Sequence, residues 1–97
     1  MILEIAILDT KAFMADDFPA AFAQAAPFLT QTKGYISHEI TRFVEAPDRY
    51  VLLVRWQTLE DHSVGFRQSA GYQEWKRLTH HFYEPYPPLV QHYQVIG

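Results

Sequence analysis

Five histidines and a set of aromatic residues hold most of the chemical potential of this chain, which contains no cysteine. The missing thiols exclude disulfides, thiolate metal sites and cysteine nucleophiles. His62 follows Thr58-Leu59-Glu60-Asp61 and precedes Phe66, a spacing that sets its imidazole on the inward face of a short helix, beside Phe66 and near Trp56. There it could take a proton from a phenol near neutral pH, the range in which imidazole titrates. Packing at the helix edge is the competing role. Tyr72 joins His62 as a candidate catalytic residue, because a buried phenol hydroxyl requires a partner. Trp56, Phe66, Tyr72, Trp75 and Phe82 could line a flat pocket for an aromatic molecule, and they would equally suit an ordinary core. Arg67 could orient an anionic substrate, although a guanidinium at a helix end is commonly solvated. His38 alternates with Ile36 and Ile40 and so points to an apolar face, as a substrate contact or as a hydrogen-bonded histidine of core or interface.

A metal finds little support. His80 and His81 are adjacent, so their side chains leave a helix about 100° apart and chelate poorly. His92 falls on a distant strand with no carboxylate at a useful spacing. No glycine-rich loop follows a strand, as a bound dinucleotide would require, and no nucleophile elbow is present. The sequence predicts neither metal nor cofactor.

These residues can act together only if the chain brings them to a common face. Ile2 to Leu8 is apolar and β-branched with one charge, Glu4, and reads as a buried strand. Asp16-Asp17 ahead of Phe18-Pro19 reads as a cap and first turn, leading into a helix from about Pro19 to Leu29 with Phe22, Ala25, Ala26 and Leu29 on one face. Pro27 should loosen its last turns and Lys33-Gly34 should close it. A strand over Tyr35 to Val44 places Ile36, His38 and Ile40 opposite Tyr35, Ser37, Glu39, Thr41 and Phe43. The turn residues Glu45 to Arg49 join it to a second strand over Tyr50 to Gln57, as an antiparallel hairpin. Thr58 caps a short helix on which Leu59, His62 and Phe66 share a face, and Gly71 is expected to interrupt it. Tyr72, Trp75, Leu78, Thr79 and Phe82 form the stripe of the next helix. Pro85-Tyr86-Pro87-Pro88 is a rigid connector, and Leu89 to Ile96 the last strand. The order β-α-β-β-α-β predicts an α+β, ferredoxin-like fold with a four-stranded antiparallel sheet.

With 97 residues there is room for one domain, residues 1–97, near the small end of independent folding. An apolar content of 48% with 15% aromatics suffices for a packed core and excludes a disordered chain. Helices on one side leave the other side of the sheet bare, and the strand from Tyr50 is apolar on both sides, with Leu52, Val54 and Trp56 against Val51 and Leu53. A second copy of the chain is the expected cover, giving a homodimer through the sheet face. A net charge of -3 with interspersed signs offers no basic stripe for phosphates, so no nucleic-acid partner is expected. No apolar run approaches membrane-spanning length and Met1-Ile2-Leu3-Glu4 does not begin a signal peptide, which predicts a cytoplasmic protein without a membrane partner.

The runs Gly34-Tyr35-Ile36-Ser37-His38-Glu39, Arg49 to Trp56, Thr58 to His62, Gly65 to Ser69, Tyr72 to Trp75 and His92-Tyr93, taken in order, resemble the antibiotic biosynthesis monooxygenase family. The resemblance spans nearly the whole chain. It implies a dimeric α/β barrel in which two sheets pack face to face, around pockets that oxidise small aromatic or polyketide-like molecules with dioxygen, in some members without metal or flavin. A cofactor-free oxygenation needs a base, since an electron-rich phenolate can reduce triplet oxygen by one electron and recombine with it in a dry pocket. One branch of the family degrades haem with an Asn on the first strand, a Trp on the helix after the hairpin and a His on the following helix. Here the first strand has no Asn, and the other two positions fall near Gly65 and near Trp75 or Lys76, so haem degradation is not expected. A ligand-binding or structural dimer, and a non-oxidative isomerase or cyclase, remain the alternatives on the same scaffold.

Overall fold

A computed structural model describes residues 1–97. Four strands, β1 (Ile2–Asp9), β2 (Tyr35–Arg42), β3 (Arg49–Trp56) and β4 (Leu89–Gln94), form one sheet in the order β2-β3-β1-β4, with all neighbours antiparallel. Two helices, α1 (Phe18–Thr30) and α2 (Ala70–Thr79), cover one side of it. This is the expected ferredoxin-like arrangement. No helix is long and apolar enough to cross a membrane.

Strand alternation sorts the side chains. Glu4, Ala6 and Leu8 of β1 and Tyr50, Leu52, Val54 and Trp56 of β3 are buried towards the helices. Phe18, Phe22, Ala25 and Leu29 of α1 close over them, and Phe18 centres an aromatic nest with its ring 4.9 Å from Tyr50 and 5.6 Å from Phe82. On the opposite side Leu3, Ile5, Ile7, Val51 and Leu53 are only half-buried, and Leu89 and Tyr93 are exposed.

Several local expectations are corrected. Asp17 makes no side-chain cap to α1, because the 3₁₀ turn Ala15–Asp17 runs straight into the helix and holds Asp17 in helical geometry; Asp16 instead meets Arg42 at 2.9 Å. Pro27 stands inside α1 as expected, and the Ala23 carbonyl that it deprives of a partner lies on the helix's exposed side, where water can serve. A β-bulge between Tyr35 and Ser37 turns Tyr35 to the helix side, where its hydroxyl meets His38 Nδ1, and leaves Ile36 exposed. Leu59 is exposed rather than sharing the inward face of His62 and Phe66. The helical break falls before Gly71: Ser69 Oγ accepts the Tyr72 amide at 3.1 Å and starts α2, while Gly71 faces Phe28 of α1.

Candidate active site

Glu4 sits 5% exposed amid apolar neighbours in β1. Trp56, on the neighbouring strand and the same side of the sheet, donates its indole N–H to Glu4 Oε1 at 2.9 Å. Above them the chain leaves β3 through a capping box. Thr58 Oγ1 accepts the Asp61 amide and Asp61 Oδ2 accepts the Thr58 amide, each at 3.2 Å. The following π-helical turn, Asp61–Phe66, presents His62 and Phe66 inwards. The His62 ring stacks on Trp56 with centroids 5.4 Å apart, its Nε2 lies 3.4 Å from Glu4 Oε1, and its Nδ1 lies 2.7 Å from His92 Nε2. His92 is the cross-strand partner of Glu4 on β4, so the register assembles this trio from both ends of the chain.

Glu4 and His62 form one wall of a cavity of about 360 Å³, a size suited to small-molecule ligands. Ala6, Leu8, Leu52 and Val90 of the sheet and Leu29 of α1 line it with Phe66, Arg67, Tyr72 and Trp75, and His80, Tyr83, Tyr86, Pro87 and Pro88 from the segment after α2 complete the lining. Near Tyr86 the hydroxyl of Tyr72 is pushed up to about 12, mainly by burial, so it stays a neutral donor. His80 packs its ring 4.7 Å from Tyr86, has a buried Nδ1 without a hydrogen-bond partner, and is lowered to about 4, chiefly by burial.

The electrostatics reverse one expectation. Burial, then the charge of Arg67 and the ring of His92, lower His62 to about 3, so its imidazole does not titrate near neutrality. The group that does is Glu4, raised by burial to about 7 despite the Trp56 hydrogen bond and Arg67, which pull it down. A carboxyl poised there can take and return a proton at physiological pH. Glu4 and His92 approach opposite nitrogens of His62, so the three do not converge on a single cation.

Of the residues singled out from sequence, His62, Tyr72, Phe66, Trp75 and Arg67 line this one cavity. Trp56 does not line it; fully buried, it supports Glu4 and His62 from behind. Phe82 belongs to the Phe18 core nest, and His38 packs 5.7 Å from Phe22 of α1, so neither faces the cavity. Glu4, Tyr83 and Tyr86 are not singled out from sequence, and His80 and His92 are weighed there only as metal ligands. The sole signal for Glu4 is its charge amid apolar neighbours.

Comparison with known proteins places these features in company. A sequence model described as antibiotic biosynthesis monooxygenase matches residues 1–78. The uncharacterized protein YczJ of Bacillus subtilis is 49% identical over 94 residues, which are 97% of this chain and 98% of YczJ. The crystal structure of a Bordetella bronchiseptica protein, named for the same monooxygenase family, superposes with a TM-score of 0.92 at 40% identity, covering 99% of this chain and 97% of that one. SnoaB of Streptomyces nogalater, described as a cofactor-independent oxygenase, shares the fold with a TM-score of 0.79 at 15% identity, over 99% of this chain and 93% of its own.

Proposed function

The chain belongs to the antibiotic biosynthesis monooxygenase family, and from that premise we propose that it oxidises a small hydroxylated aromatic or polyketide-like molecule with dioxygen, without a bound metal or organic cofactor. The observation that carries this reading is a buried carboxyl, Glu4, held near neutrality inside an aromatic-lined cavity. Burying a carboxylate is unfavourable, and such sites recur where a proton must be moved. SnoaB's description as a cofactor-independent oxygenase lends the fold-level precedent.

Glu4, hydrogen-bonded to Trp56 and backed by His62, removes the hydroxyl proton of a phenol or of the enol form of an anthrone-like substrate. The resulting anion is a one-electron donor. It reduces dioxygen to superoxide and becomes a carbon-centred radical, and the pair recombines to a peroxide at the ring carbon. Arg67 neutralises the anionic stages, and Tyr72 donates a hydrogen bond from its un-ionised hydroxyl. The proton on Glu4 returns to the peroxide, whose O–O bond then breaks as the carbon loses its hydrogen. One oxygen atom stays as a new carbonyl and the other leaves as water, so the substrate itself supplies every electron. His80, with its unpartnered Nδ1, receives a second polar substituent. The apolar outer face of the sheet is covered by a second copy of the chain, and the cysteine-free sequence fits work in the reducing cytoplasm.

Oxygen uptake with a panel of quinols and anthrones tests the reading. One dioxygen is expected per quinone formed, with turnover reduced about 100-fold or more in Glu4→Gln. Product formed equally well without oxygen would replace it with an isomerase or cyclase, and binding without turnover across the panel would replace it with a ligand carrier.

A further inference from the structure

A buried carboxyl that is half protonated near neutrality must be able to lose that proton to solvent before it can act as a base, even when substrate fills the cavity. Behind Glu4 runs a series of contacts that avoids the cavity. Glu4 Oε1 stands 3.4 Å from His62 Nε2, and His62 Nδ1 stands 2.7 Å from His92 Nε2. Glu4 and His62 are 5% and 4% exposed, whereas His92 is only half-buried, lies on an edge strand and does not line the cavity. The path therefore leads outwards. It also ends on the helix side of β4, alternating with the exposed Leu89, Gln91 and Tyr93, so a partner on the bare face of the sheet leaves its exit open.

We propose that Glu4, His62 and His92 form a proton wire joining the cavity wall to solvent at the β4 edge. It deepens the oxygenase reading and relies on that reading for its use, but the wire itself is a property of the free protein. Once a small closing movement turns the 3.4 Å Glu4–His62 contact into a hydrogen bond, two complete arrangements are available. With Glu4 ionised, His62 Nε2–H donates to the carboxylate and His92 Nε2–H donates to His62 Nδ1. A proton reaching the outer Nδ1 of His92 reverses both bonds: His92 Nε2 becomes the acceptor of His62 Nδ1–H, and His62 Nε2 the acceptor of the new Glu4 O–H. One proton has moved from solvent to carboxyl, each ring ends in its other tautomer, and no electron has moved. Running backwards, the same steps empty Glu4 while substrate blocks the mouth.

The surroundings suit such a wire. His62 from the π-helical turn, Arg67 just after it, His92 from β4 and Tyr72 from α2 are the titratable and charged groups around Glu4, and Trp56 of β3 fixes its carboxyl. Burial and the Arg67 charge hold both His62 and His92 below the ordinary imidazole range. Both shifts favour the neutral rings that the exchange of tautomers requires.

Ring-nitrogen NMR of the ligand-free protein across a pH titration is the direct test. The protonated and unprotonated nitrogens of His62 and His92 should exchange roles with one midpoint near 7, the midpoint of Glu4, and Glu4→Gln should abolish that step. Tautomers that stay fixed while Glu4 titrates, or a step that survives in Glu4→Gln, overturn the wire. In turnover, His92→Phe should lower kcat roughly tenfold or more with KM unchanged, and imidazole in the buffer should restore it. His92→Gln keeps a hydrogen bond to His62 but cannot relay a proton, and should behave alike; full activity in both variants overturns the wire's part in catalysis. If no substrate is ever oxidised, the oxygenase reading fails while the ring spectra still decide the wire.

Discussion

Raised by burial from 4.5 to about 7, Glu4 binds a proton more tightly in the folded chain than in the unfolded one. Its contribution to stability is complete below pH 4.5 and is lost as pH rises through 7. His62 works the other way. Lowered from 6.5 to about 3, it contributes fully above pH 6.5 and loses that contribution as pH falls towards 3. The two slopes oppose each other between pH 4.5 and 6.5. Glu4→Gln keeps an acceptor for Trp56 and removes only the first slope. The variant should gain about 3 kcal/mol over wild type at pH 8, the free-energy equivalent of the Glu4 shift, and this gain should vanish by pH 4.5. Urea unfolding at several pH values measures it, and equal stability of the two proteins at pH 8 would show that Glu4 is not held near neutrality. Sequence marks Glu4 as the one charge between Ile2 and Leu8, yet a strand's alternation does not say which face the helices will cover. His92 is harder still to see, because only the β1–β4 register sets it opposite Glu4.

Periodicity and turn chemistry suffice to read the order of elements, because each strand and helix buries one consistent side. What they miss depends on tertiary contact: the bulge that turns Tyr35 inwards and the Arg67–Ser69 break that is displaced from Gly71. Gly34 shows how such contacts place the site. It adopts a φ of 87°, and a β-carbon there would overlap the Asp61 carboxylate that closes the capping box before His62. Gly34→Ala should destabilise the protein by about 2 kcal/mol, roughly half from the left-handed backbone and half from the displaced cap. In an Asp61→Ala background the same substitution should cost only the backbone half, and thermal unfolding of the double-mutant cycle reads the difference. Additive losses would mean that Gly34 and Asp61 do not meet. Displacing the cap also tilts the turn holding His62, so Gly34→Ala should raise KM more than Glu60→Ala, a change at an exposed position beside the box.

At the scale of the molecule the sheet has two unlike faces. The helix side contains the cavity. The other side offers Leu3, Ile5, Ile7, Val51 and Leu53 at its centre with exposed Leu89 and Tyr93 beside them, an apolar surface that a small domain cannot cover by itself. Its polar rim includes Arg55 and Glu39, 3.8 Å apart across β2 and β3. An apolar centre within such a rim is the composition of a permanent interface, and a stable one buries about 800 Å² on each partner. Sedimentation at micromolar concentration should therefore find a dimer, and Leu53→Glu should convert it to a monomer, because a carboxylate at the centre of the paired sheets would be desolvated without a partner. Since Leu53 points away from α1 and α2, circular dichroism should still report the native helix content. The monomer should also keep the titration of Glu4 near 7, because every group that sets it comes from the same chain. A wild-type monomer would leave the bare face unexplained. A Leu53→Glu monomer that lost the Glu4 titration would instead mean that the second copy reaches through the sheet to hold the cavity wall in place.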